Sequence, residues 1–153
     1  MFQEVEGAYY RAQMNPDFVL AARLKAERRR ADMETEADAR RLMKSYGAPS
    51  WVADIVVETA IGHGASPLAV AGRARDQKSV RARNAAIYQV KATKPNLSSP
   101  QIARWFGRNH TGILFALASH QEQTGAPMLT GYRTNRERRR AATAAYARRK
   151  AMQ

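Results

Sequence analysis

Cysteine is absent from the 153 residues, which excludes disulfides, thiolate nucleophiles and zinc sites built on cysteine. The three histidines, His63, His110 and His120, do not have the spacing of metal ligands, and no cofactor is expected. No apolar run approaches the roughly 18 residues that a membrane span requires. The opening MFQEVEGAYYR does not have the pattern of a signal peptide. Alternating Val/Ile/Thr/Tyr runs are missing, so no strand is expected. There is no Gly-x-x-x-x-Gly-Lys-Ser/Thr loop to cradle a nucleotide. Asp54 and Glu58 lie one helical turn apart, but no nucleophile accompanies them, so catalysis is not expected. The last absence is local: no acidic residue occurs between Asp76 and Glu122.

What is present is positive charge, 26 basic against 13 acidic side chains. It is segregated. Residues 1–50 carry nine basic and eight acidic groups and residues 51–70 only two acids; residues 71–110 carry nine basic groups and one acid, and 128–153 eight and one. Two cationic blocks of this kind are the footprint expected for a polyphosphate partner. The alternative is a merely solvated basic surface.

The pattern predicts an all-α fold. Asn15-Pro16-Asp17 reads as a cap opening a helix to about Ala31 through Phe18, Leu20 and Leu24. A second amphipathic helix carries Ala39, Leu42, Met43 and Tyr46, and Gly47 ends it. Ser50 is expected to cap a third, with a stripe of Val52, Ile55, Val56, Thr59 and Ala60. Gly62-His63-Gly64 closes that helix, and Ser66-Pro67 opens a short turn of helix. The segment GRARDQKSVRARNAAIYQVKATKP starts as a basic loop and becomes helical near Gln77, with Ala82, Ala85, Ala86 and Val90 on one face. Lys94-Pro95 stops it. Ser99-Pro100 then reads as cap and first helical residue of a short helix through Ile102, Trp105 and Phe106. Gly107 ends that helix, and another runs from about Asn109 to Gln123. Two short helices joined by a Gly-containing turn form the helix-turn-helix pattern. Four regions follow: a helical part at 1–47 that serves self-association, a protein partner or the domain's own core; a DNA-binding domain at 48–123; a linker at 124–131; and a frayed basic tail at 132–153.

In such a motif the N-terminal turn of the second helix meets base edges in the major groove. Here that turn carries Arg108, Asn109, His110, Thr111 and Gly112. Arginine can grip guanine, asparagine can bridge adenine N6 and N7, and the threonine methyl can meet that of thymine. The helix end also favours a phosphate, which a carboxylate would repel. The plainer reading makes Asn109 an ordinary N-cap and His110 a surface residue.

The segments SVRARNAAIYQVK and LSSPQIARWFGRNHTGILFALASH resemble the C-terminal DNA-binding domain of the bacterial replication initiator DnaA. That family has an Ala-rich helix opening Arg-x-Arg-Gln, a Leu-Pro-Glu-Ile-Gly helix, and Phe-Gly-Gly-Arg-Asp-His-Thr-Thr-Val-Leu-His-Ala. The resemblance covers roughly residues 51–121 and is most specific over 99–116. It implies an all-α domain with a helix-turn-helix of the Trp-repressor type, a double-stranded DNA partner and a cytoplasmic, nucleoid-associated location. Position by position it implies that Arg75 enters the minor groove, that Arg81, Arg83 and Lys91 meet phosphates, and that Ser99 and Pro100 approach thymine methyls. Asn109, His110 and Thr111 stand where the family reads bases. Arg108 joins them, and Arg73, Lys78 and the backbone at Gly112 complete the phosphate set. The departures are one glycine fewer before Arg108, Asn84 for Gln, Asn109 for Asp and Gly112 for the second Thr. They imply a target sequence other than the family's own box. RNA is a less favoured partner, since the aromatic stacking platform of single-strand readers is missing.

Overall fold

The computed structural model describes residues 16–152, and within them every regular element is a helix. The expected cap at Asn15, and residues 1–15 of the N-terminal region, lie outside the described residues. In chain order the helices are α1 (Pro16–Ser45), α2 (Ser50–Gly62), α3 (Pro67–Ala71), α4 (Gln77–Thr93), α5 (Ser99–Trp105), α6 (His110–Thr124) and α7 (Asn135–Ala151). Among the described residues, no helix is long and apolar enough to cross a membrane.

α4 is the central element, packed against α2, α3 and α6, while α5 packs on α6 and the end of α1 on α2 and α3. Its Ala-rich face lets the neighbouring helices approach closely. Ala82, Ala86, Ile87 and Val90 are buried there with Val52 and Val56 of α2, Ile102 of α5, and Ile113 and Leu117 of α6. Each large aliphatic side chain so buried contributes about 1.5–3 kcal/mol. Trp51 and Trp105 meet edge to face at 6.1 Å and 87°, tying α2 to α5, and Lys94 sits 4.7 Å over the Trp51 ring.

Residues expected to form two N-terminal helices form one helix of 30 residues. No Gly or Pro interrupts ADMETEAD, so nothing obliges the chain to break between the two amphipathic stretches. The helix is heterogeneous in its surroundings. Ala39 and Met43 are fully buried in the core, whereas Leu20 and Leu24 are exposed. A domain boundary at 47/48 therefore cuts the core: the tail of α1 belongs to the domain and its front does not.

Two caps lie one residue earlier than expected. Pro49 precedes α2 without a side-chain cap. Ser98 rather than Ser99 caps α5, accepting from the Gln101 N–H at 3.3 Å, so Ser99 and Pro100 are inside the first turn. Gly107, with φ +60°, joins α5 to α6. A β-carbon there would lie 2.7 Å from Cζ of Tyr46, so the end of α1 packs directly on this turn.

The expected linker and frayed tail are both ordered. The Gln121 side chain works as a clasp: its Oε1 accepts from the N–H groups of Leu129 and Thr130 at 2.7 and 3.2 Å. Tyr88 Oη donates to the Pro127 carbonyl at 2.7 Å. Thr134, buried, donates to Glu122 and caps α7 by accepting from the Glu137 N–H. α7 itself buries no residue, which agrees with its lack of large apolar side chains.

His120 lies with its ring centroid 4.6 Å from that of Tyr88. Burial, and secondarily His63, pushes its pKa below the ordinary 6.5. The folded chain therefore resists a proton that the unfolded chain accepts, so stability falls as pH drops through the ordinary histidine value. Thermal melts at about pH 7.5 and about pH 5.5 are expected to show a loss in the wild type that His120→Gln reduces. Equal losses in both proteins would count against it.

Candidate nucleic-acid interface

Three stretches far apart in sequence meet at one cleft of about 680 Å³. The loop 72–76 supplies Arg73, Ala74 and Arg75. α4 supplies Val80, Arg83, Asn84 and Ile87. The turn and first half of α6 supply Gly107, Arg108, Asn109, Thr111, Gly112, Phe115 and Ala116, and Tyr132 closes one lip. No carboxylate lines it. Ile113 and Leu117, one turn apart and buried, seat α6 in the core, which leaves Arg108, Asn109, His110 and Thr111 exposed at its front.

The cations repel one another. Burial first, and then Arg73, lowers the pKa of Arg108. Arg83 is pushed down to about 10 by burial and then by Arg108, with Asp76 opposing. Asp76 caps α4 through the Ser79 N–H at 3.0 Å. That contact holds its pKa below the usual carboxylate value. A bound anion would relieve this mutual repulsion.

Several expected contacts take other roles. Arg83 is 4% exposed and donates to three backbone carbonyls: Nε to Val70 at 2.9 Å, Nη1 to Ala74 at 3.0 Å and Nη2 to Ala69 at 2.7 Å. It closes the end of α3 and holds the loop that bears Arg73 and Arg75, so it positions that loop rather than facing outward to a phosphate. Lys91 Nζ donates to Pro95 and Leu97 carbonyls at 2.7 and 2.5 Å, closing the turn between α4 and α5, away from the cleft. Asn109 Oδ1 accepts from the Gly112 N–H at 2.7 Å. Asn109 is thus the N-cap of α6, and its carbonyl oxygen is not available for the adenine bridge. The same bond engages the Gly112 amide expected to meet a phosphate. A β-carbon at Gly112 would lie 3.2 Å from that oxygen, which accounts for glycine there.

Of the other expected residues, Lys78 and Arg81 are exposed on the first turns of α4 and Ser99 and Pro100 open α5; none of the four lines the cleft, nor does His110. Two lining residues escaped the sequence reading. Phe115, 49% exposed, stands four residues after Thr111 and so on the same side of α6, a signal that helical spacing carries. Tyr132 arrives only because the segment after α6 folds back, and no local pattern announces that.

The fold and cleft together define an all-α chain with a cationic groove built at the front of one helix. Compared with known protein families, curated proteins and solved structures, the chain matches none.

Proposed function

We propose that the protein binds double-stranded DNA sequence-specifically, as a regulator of transcription or a modulator of replication initiation. One observation carries this reading: Arg73, Arg75, Arg108, Asn109 and Thr111 converge on one acid-free cleft at the N-terminal end of α6. With α5, the turn at Gly107 and α6 acting as a helix-turn-helix, the front of α6 enters the major groove. Arg108, His110 and Thr111 meet base edges there. Asn109 contributes only its Nδ2 donor, which suits guanine O6 or N7 and thymine O4. Phe115 offers an apolar surface to a thymine methyl. Arg73 and Arg75 reach the backbone and the minor groove from the loop that Arg83 holds, and Lys78 and Arg81 extend the cationic surface along α4. The chain binds without catalysing, in the cytoplasm on the nucleoid.

Selection of bound duplexes from a random pool tests the reading. A defined motif is expected, different from the DnaA box, and duplex RNA should compete poorly. His110→Ala or Thr111→Ala should then lose about 1–3 kcal/mol on the selected site and little on random DNA. Recovery of no motif, or equal losses on both DNAs, would refute sequence-specific readout; recovery of the DnaA box would refute the altered specificity.

A further inference from the structure

The front two-thirds of α1 projects beyond the core with a large apolar surface. Phe18, Val19, Leu20, Leu24 and Met33 are exposed by 55, 49, 56, 56 and 70%. At 3.6 residues per turn, Leu20, Leu24 and Ala31 fall in line with Leu42, where the same stripe enters the packed core. An apolar stripe of this length, continuous with a buried one, is a surface that calls for a partner.

Charge along the same helix says which partner. Residues 23–30 carry five basic groups and one acid, and residues 32–38 carry four acids and no base. A helix polarised in this way is complementary to itself when reversed. We propose that α1 pairs with α1 of a second copy, antiparallel, about a two-fold axis beside Ala31. Each basic block then faces the acidic block of the other chain, and the apolar stripes meet between them, an isologous contact that closes at two copies. A parallel pair would set like charge on like along the whole overlap. The small side chain at Ala31 lets the helices approach where they cross. Within one chain Arg23 pairs with Glu27 at 3.1 Å, Arg40 with Glu36 at 3.3 Å, and Arg41 with Asp38. These are surface pairs, weak enough to exchange for contacts across the axis. No residue of α1 lines the cleft, so this surface stands independently of the DNA reading.

Sedimentation equilibrium on the full chain is expected to return twice the chain mass. Reversing the basic block (Arg28→Glu, Arg29→Glu, Arg30→Glu) should weaken self-association about tenfold or more, as should Asp32→Lys with Glu34→Lys, and mixing the two variants should restore a dimer. Orientation is read from engineered thiols, since the chain has no cysteine. Ala31→Cys should form a disulfide-linked dimer on oxidation. Leu20→Cys should not, because its copy lies about 33 Å away along an antiparallel pair at 1.5 Å per residue. Unchanged melting of the packed core would show that the variants fold. A monomeric full chain overturns the proposal, whether residues 1–15 or some other protein cover the stripe. Cross-linking of Leu20→Cys as ready as that of Ala31→Cys overturns the antiparallel arrangement.

Discussion

Arg83→Met is expected to lower the free energy of unfolding by about 3 kcal/mol and to loosen the loop that carries Arg73 and Arg75. Arg83 is the buried cation of the domain's core, and its guanidinium satisfies three carbonyls, of Ala69, Val70 and Ala74. Those of α3 stand at its end, where helical carbonyls have no partner within the helix. Methionine fills most of the volume and donates nothing, so buried acceptors are left unmet. Lysine should recover little: its ammonium keeps the charge but cannot span the three acceptors that the planar fork reaches. Urea unfolding of the three proteins checks the order wild type, Arg83→Lys, Arg83→Met. A midpoint for Arg83→Met equal to that of the wild type would mean that the clasp contributes nothing. The same variant should bind DNA less well because the loop wanders, so stability must be measured beside affinity.

Joint replacement of Arg73, Arg75 and Arg108 by alanine should do the reverse: leave folding nearly intact and reduce affinity for any duplex by about a hundredfold or more. All three are exposed and none donates to a buried carbonyl. Arg108 and Arg73 each sit in the field of another cation, so their removal relieves repulsion in the free protein. The salt dependence is the sharper readout. The slope of log K against log salt should fall by about 0.9 for each phosphate no longer neutralised, about 2.7 for three. An unchanged slope would place the DNA on another surface, with α7 the first to examine, since it bears Arg136, Arg138, Arg139, Arg140, Arg148, Arg149 and Lys150. His110→Ala should leave the slope alone and alter only discrimination, which separates base reading from backbone attraction.

The parts of this architecture that depend on local chemistry were legible in the sequence. Gly107 at positive φ, Asn109 just before a helix, and the alanine face of α4 each follow from what one residue type does in its own turn of chain. What escaped depends on distant partners. The merger of two expected helices into α1 follows from the absence of a breaker, which is weaker evidence than its presence. Arg83 looked like one arginine among several in a basic run. Its role arises because α3, a helix of five residues, presents its carbonyls to that one position on α4. Asn109 was read both as a cap and as a base reader, and the hydrogen bond to Gly112 assigns its oxygen to the first. The clasp of Gln121 on the chain after α6 needed a backbone path that composition does not encode, so a Gly- and Pro-containing stretch read as a tether is a fixed lip of the cleft.

The contact of Tyr46 with the turn at Gly107 gives α1 the character of a measuring rod. One end of the helix is seated by an aromatic ring against the backbone just before Arg108, and some 28 residues of unbroken α-helix separate that seat from Phe18, about 42 Å at 1.5 Å per residue. Whatever occupies the far end is therefore held at a set span from the cleft, and the interval between them is a matter of geometry rather than of chain entropy.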